Sequence, residues 1–467
     1  MGRIKSEKPK QNIMADKPAS KAILIMGVPF IISMMLQALY NIVDSAFVAN
    51  MQVNGEEAVN ALTLSFPIQM LFIACSIGTG IGAYTLISHS LGRGDTERAS
   101  KSAGNNIFLG IVIYIIFMLF GFFGTRAYIM TQTDNELIIE LAVQYLQICC
   151  IFSMGNIFFG VFEKMLQGTG HPMCSTIAQI TGAVMNMILD PIFIYGWLGL
   201  PAMGVKGAAI ATVAGQMISA VLGLIFYLIY TKEIKKGVKY YIPDLRLIGA
   251  IYKIGAPAIL MQAMSAIMTY GLNVILGGIN QEMVTAYGIF YKIQQFVLFA
   301  GFGLRDAITP IVAFNYGAGN RQKTKDGIKF GVLYTVIILL IGTIILEVLA
   351  KPLAGIFHLS GITENYCISA MRIVAISFPF AAICISLQGV YQALYAGVQS
   401  LIVTLLRQLI LVLPLAAIFA NAMKSNPEQS GPVWCTFIIA EVVTAAAAIL
   451  MQKKLNRKVV ERIGENA

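Results

Sequence analysis

The feature that most constrains this chain is a succession of long apolar runs, separated only by short charged or Gly/Pro-bearing breaks. A helix that crosses a bilayer needs about 20 predominantly apolar residues. Runs of that kind lie near 22–49, 58–90, 104–125, 137–167, 172–196, 204–230, 248–279, 283–314, 328–349, 363–395, 399–422 and 431–453. They are continuous and do not alternate with period two, which excludes a membrane β-barrel. Of 467 residues, 57% are hydrophobic and only 12% charged, so little mass is left for an aqueous domain. A soluble enzyme, a disulfide scaffold and a disordered chain are excluded on the same ground. The expected fold is an all-α polytopic membrane protein with twelve transmembrane helices.

The net charge of +10 would suggest nucleic acid in a soluble protein. Here the basic residues sit in loops and tails, so the expected partner is the lipid bilayer and not nucleic acid. Counting Lys and Arg in alternate connections gives 25 on the side of the termini and 4 on the other. That bias orients both termini in the cytoplasm. The seven cysteines lie mostly inside apolar runs, and His89, His171 and His358 are far apart, so no Cys/His metal cluster is expected.

Self-comparison shows a repeat. "LGRGDTERASK" (91–101) aligns with "YGAGNRQKTKD" (316–326) at an offset of 225. "IMGVPFI" (25–31) aligns with "KIGAPAI" (253–259) at 228, and "QGTG" (167–170) with "LYAG" (394–397) at 227. Six helices per half is an even number, so both halves enter the membrane from the same side as a parallel repeat. The expected organisation is a cytoplasmic tail (1–21), an N-lobe of helices one to six (22–230), a cytoplasmic linker (231–247), a C-lobe of helices seven to twelve (248–454) and a second cytoplasmic tail (455–467). Two pseudo-symmetric six-helix lobes facing each other form a cleft suited to alternating access.

Acidic residues inside the spans are costly and need a partner, water or a task. Gln37, Asn41 and Asp44 are spaced four then three and share one helix face, with Tyr40 beside them. Pro29, several turns earlier, can kink the first helix. Asp190 follows Asn186 by one turn, and Thr212 and Gln216 are one turn apart on helix six. If these helices line one interior, an oxygen-only group results. It suits a hard monovalent cation or a shared proton, or else it is a polar cluster that only holds helices together. Glu163 beside Lys164 either snorkels to the surface or lines the cavity. Arg407 and Glu441 are candidates for a buried tie between helices eleven and twelve. "GRGD" (92–95) is read as turn glycines with a helix-capping acid, and "GTGIG" (78–82) as close helix packing.

"QALYNIVDSAFVA", "LGRGDTERA", "MLQGTGHP", "NMILDPIF", "GVKGAAIATVAGQ" and the repeated "NYGAGN" together resemble the MATE (multidrug and toxic compound extrusion) family over about 22–454. Its DinF-like and MepA-like bacterial branches are the most similar. The resemblance implies a V-shaped pair of lobes in the bacterial inner membrane; no cofactor is expected, and a self-contained two-lobe chain can work as a monomer. The resemblance further implies export of amphipathic organic cations by antiport with H+ or Na+. Residue by residue, Asp44, Asn186, Asp190 and Thr212 match the family's N-lobe cation and proton network, the expected Na+ position. Gln37 and Tyr40 match positions implicated in substrate contact, where Asn41, Gln216 and Glu163 are also placed, and Pro29 matches the bending proline. The alternative reading is a lipid-linked precursor flippase of the same superfamily. That would call for cavity bases where this chain offers acids. An enzyme of the isoprenoid-transferase type would need paired Asp-rich motifs, which the spans lack.

Overall fold

In hydrocarbon a backbone must satisfy its own hydrogen bonds, so long apolar runs fold as helices. The protein is represented by a computed structural model that describes residues 12–51, 55–356, 361–423 and 431–463. Ten of its helices are long and apolar enough to cross a membrane alone, and two bent pairs complete a set of twelve among the described residues. In chain order these are α1 (Ala19–Ala49), α2 (Gly55–Gly92), α3 (Thr96–Phe123), α4 (Glu136–Ile151 with Met154–Gly168), α5 (Pro172–Tyr195) and α6 (Val205–Tyr230). The second half holds α7 (Leu245–Gly277), α8 (Gln281–Gly317), α9 (Arg321–Ile356), α10 (Gly361–Ala375 with Phe378–Ala393), α11 (Gly397–Met423) and α12 (Gly431–Leu455).

Two of the expected continuous helices are broken. The halves of α4 meet at 43° and those of α10 at 57°. In α10 the cause is Pro379 in the first turn of the second half, where a missing N–H cannot continue the ladder. In α4 no proline is present. There Gly155 sits so close to the α6 backbone that a Cβ would lie 2.8 Å from the Met217 nitrogen. The start of the chain also differs from a plain polar tail. A one-turn helix, Ile13–Asp16, capped by Asn12, precedes α1, and its Met14 is buried against α8.

The internal repeat is visible as duplicated turns. At the end of α2, Gly94 adopts φ +75°, Asp95 N–H bonds the Ser90 carbonyl (2.9 Å), and the Asp95 carboxylate caps Arg98 N–H (2.9 Å). At the end of α8, Gly319 adopts φ +69°, Asn320 N–H bonds the Asn315 carbonyl (3.0 Å), and the Asn320 side chain caps Lys323 N–H (2.9 Å). Each is a left-handed helix stop followed at once by an N-cap. The "QGTG" turn has a matching stop, but at a different register from the expected one. Its Gly170 (φ +87°) corresponds to Tyr395 (φ +59°), an offset of 225 instead of 227. The hydrogen bonds His171 N–H to Leu166 O and Ala396 N–H to Tyr391 O define that pairing.

The halves meet through glycines. A Cβ on Gly92 would strike the Phe314 carbonyl oxygen, and one on Gly317 would strike that of His89. Gly78 lies against Gly255 and Ile259, Gly82 against the Ile251 carbonyl, Gly27 against Leu304, and Gly303 against Ile31. Without side chains at these points, α2 can cross α7 and α8 at backbone distance. All of these contacts lie in the half of each helix nearer the chain termini. The lobes therefore join at the terminal face and diverge from it, as the two arms of a V.

Candidate coupling and transport site

Between α1 and α5 runs a ladder of polar contacts. Thr176 Oγ1 donates to the Pro29 carbonyl (3.0 Å). One turn further, Gln179 accepts from Ser33 Oγ and donates through Nε2 to Gln37 Oε1 (2.8 Å). At the far end, the Tyr195 hydroxyl donates to the Phe47 carbonyl (2.7 Å). Pro29 has no N–H, so the first helix lacks one ladder bond there, and Thr176 holds the carbonyl on the other side of that weak point.

Asn186 and Asp190 come two and three turns after Gln179 on the same face of α5. Asp190 is fully buried, Asn186 and Thr212 nearly so, and Asp44 is 8% exposed. With its amide oriented to satisfy both neighbours, Asn186 donates to Asp190 Oδ2 (3.2 Å) and accepts from Thr212 N–H (3.0 Å). That contact between α5 and α6 requires glycines. A Cβ on Gly182 would strike Ser219 Oγ, and one on Gly215 would lie 2.8 Å from Asn186 Cβ. Asp44 arrives from α1 and lies within electrostatic range of Asp190. Among the described residues, Asp44 Oδ1 and Thr212 Oγ1 are buried with no hydrogen-bond partner. The structure thus joins Asn186, Asp190 and Thr212 by hydrogen bonds, with Asp44 within electrostatic range of Asp190 and half-buried Gln216 one turn beyond Thr212. Gln37 lies higher on the α1 face and is exposed. The side chains of Tyr40 and Asn41 fall outside the described residues.

Glu163 belongs to a second group, between the lobes. Gln167 Nε2 donates to Glu163 Oε1 (2.8 Å), and Lys164 Nζ donates to Gln167 Oε1 (2.9 Å). The same Lys164 Nζ lies 3.9 Å from Glu163 and 3.7 Å from Asp306 Oδ2 of α8. Arg305 grips the other oxygen of Asp306, with Nε at 2.9 Å and a terminal nitrogen at 2.7 Å. Gly80 makes room for the Lys164 stem. In place of snorkelling to the surface, this pair of neighbours reaches across the lobe boundary.

Among the described residues the C-lobe carries no counterpart of the acidic group. The repeat partner of Asp44 is Leu272, packed in the apolar core with 1% exposure. Its buried polar pairs include Gln388 Nε2 donating to Thr404 Oγ1 (2.9 Å) and Arg407 Nε donating to Glu441 Oε1 (2.5 Å). Arg407 stands in a π-helical turn, Leu406–Ile410, which rotates it toward α12.

The MatE family model matches residues 29–192 and 257–418, one segment in each lobe. The chain belongs to the MatE family. Among curated relatives it is similar to the multidrug export protein MepA of Staphylococcus saprophyticus, 25% identical over 433 residues that cover 92% of this chain and 93% of that one. MepA of Staphylococcus aureus strain MRSA252 is likewise 25% identical, covering 93% of each chain. Among solved structures, an outward-facing multidrug resistance MATE family transporter of the MOP superfamily superposes with a TM-score of 0.89. That alignment, at 23% identity, covers 98% of this chain and all of the other. The twelve-helix, two-lobe architecture is therefore that of a MatE-family membrane transporter. The Thr176–Gln179 half of the α1–α5 ladder and the Lys164–Asp306 contact were not anticipated from sequence. The first had a signal, since 176, 179, 186 and 190 share one helical face; the second had none, because it joins segments 142 residues apart.

Proposed function

We propose that this protein is a secondary active multidrug exporter that moves amphipathic organic cations by antiport with H+ or Na+. The observation that carries the proposal is the buried Asp44 carboxylate, whose Oδ1 has no partner among the described residues and which has the buried Asp190 carboxylate of its own lobe within electrostatic range. Two carboxylates buried this way need a compensating positive charge. A cationic drug and an incoming H+ or Na+ can each supply it, but not both at once. Competition of that kind couples the two fluxes, because each ligand shifts the lobe equilibrium only through its differential affinity for the two states. The orphaned Thr212 hydroxyl, with Asp44, Asp190 and the Asn186 amide, supplies the oxygens for a Na+ ion or for a protonated carboxyl.

In this scheme Gln37, Tyr40, Asn41 and Gln216 contact the cargo above the carboxylates, and Pro29 is the hinge about which α1 repacks when the charge is cancelled. The N-lobe acts as the coupling unit and the C-lobe, with Leu272 opposite Asp44, as the scaffold. One chain holds both lobes and works as a monomer. It sits in the bacterial plasma membrane with both termini in the cytoplasm, a reading that the excess of basic residues on that side supports.

The test is ethidium efflux from proteoliposomes with ΔpH and ΔpNa imposed separately. One of the two gradients drives uphill efflux, and Asp44→Asn abolishes that drive while leaving the protein folded. Equal efflux by Asp44→Asn and the parent protein overturns the scheme.

A further inference from the structure

The connection between the lobes is laid along α3 of the N-lobe. Lys235 N–H bonds Ser100 Oγ (2.8 Å), Asp244 N–H bonds Asn105 Oδ1 (2.8 Å), and the Tyr240 hydroxyl donates to Glu97 (3.0 Å). Gly104 lets the strap approach so closely that a Cβ there would strike the Tyr240 carbonyl. At its start, Lys236 Nζ donates to the last carbonyls of α6, Tyr227 (3.1 Å) and Leu228 (2.9 Å).

These anchors fix its depth. Asn105 is nine residues into α3, about 13 Å along the axis from Thr96. The uninterrupted apolar part of α3 starts at Ile107 and runs to Phe123, about 25 Å, close to the thickness of the hydrocarbon core. The Asp244 end of the strap, at Asn105, therefore lies at the boundary between headgroups and acyl chains, and the Lys235 end, at Ser100, about 8 Å nearer the water. Along this length, between the headgroups and the acyl boundary, it turns apolar side chains outward: Val238 is 84% exposed, Ile242 63% and Leu245 83%. Lys232, Lys235, Lys236, Lys239 and Arg246 flank them, against Glu233, Asp244 and Glu97. Glu97 is shared by Lys235 (3.8 Å) and Lys239 (3.5 Å), while Lys232, Lys236 and Arg246 make no ion pair among the described residues. Exposed apolar side chains at this depth, ringed by an excess of cations, have the composition of an interfacial anchor.

We infer that the 231–246 strap is a docking surface for anionic phospholipid headgroups in the leaflet on the side of the two termini, with Val238, Ile242 and Leu245 inserted below the phosphates. This placement is independent of what the cleft carries. Because the strap is fixed to α3 and runs directly into α7, lipid bound to it is held at the joint between the lobes.

Val238→Trp, read as the increment in tryptophan emission over the parent protein, tests this in vesicles. Brominated phosphatidylglycerol is expected to quench the added tryptophan about threefold more than brominated phosphatidylcholine at equal mole fraction. Added salt or the Lys232→Gln/Lys236→Gln pair should reduce that preference. Leu245→Trp supplies the same readout should Val238→Trp fail to fold. Equal quenching by the two lipids overturns the anionic selectivity, and quenching by aqueous iodide but by neither lipid overturns the insertion.

Discussion

Lys164 Nζ lies 3.7 Å from Asp306 Oδ2, the one ion pair between the two helix bundles among the described residues. It sits where the lobes are joined, so any opening of the terminal face has to part it. Lys164 is already 3.9 Å from Glu163 in its own lobe, which gives the ammonium a partner after separation. Asp306 likewise keeps Arg305.

Removing the pair should therefore favour opening without unfolding either bundle. Lys164→Met is expected to shift the lobe equilibrium toward terminal-face opening by about 1–2 kcal/mol, roughly a fivefold to thirtyfold change in population. Distances between spin labels on the two lobes report the shift. Asp306→Asn should produce a similar change, and the double variant should add little to either alone. Unaltered distance distributions in Lys164→Met would show the pair to be incidental.

The glycine crossings predict a contrast between two alanine substitutions. Gly82→Ala drives a methyl into the Ile251 carbonyl, backbone that cannot rotate away. It should cost about 1–3 kcal/mol in the lobe-closed state and stop transport. Gly94→Ala meets open space and carries only the strain of φ +75°, about 1 kcal/mol, with transport retained. Thermal unfolding in nanodiscs alongside vesicle efflux separates the two.

Thr176→Val removes the donor to the Pro29 carbonyl and leaves volume nearly constant. The expected loss is about 1 kcal/mol of support at the hinge. Its signature is a changed turnover rate with drug affinity preserved, since Thr176 is three to four turns from the carboxylates. Equal turnover in Thr176→Val and the parent would show that this contact does not govern the hinge.

Arg407 and Glu441 are both nearly buried, 8% exposed each, and paired at 2.5 Å. Arg407→Met should destabilise the C-lobe by about 3–5 kcal/mol, because a buried carboxylate is left without its cation. Adding Glu441→Gln should restore most of that loss. Unfolding midpoints of the single and double variants decide it.

The number of spans, the repeat and the Asp44, Asn186 and Asp190 positions were legible because bilayer thickness and helical periodicity are written directly in residue spacing. The role of "GRGD" was legible for the same reason, as Gly94 and Asp95 form a stop and a cap within four residues. The break in α10 carried its signal in Pro379, but the break in α4 depends on how Gly155 meets α6. The shifted register between Gly170 and Tyr395 was hidden because a tyrosine occupies a left-handed position that normally advertises itself as glycine. Contacts between lobes, such as Lys164 with Asp306, have no local signature at all.

Gly92 and Gly317 each rest on the other's helix, and they are the same position of the repeated unit. In an ancestral half-length protein pairing as a symmetric dimer, a single glycine codon would have shaped both sides of that junction. In the present chain the two positions are separate, yet neither can accept a side chain while its counterpart's helix stays in place. The crossing thus has the reciprocity of a two-fold axis inside one polypeptide.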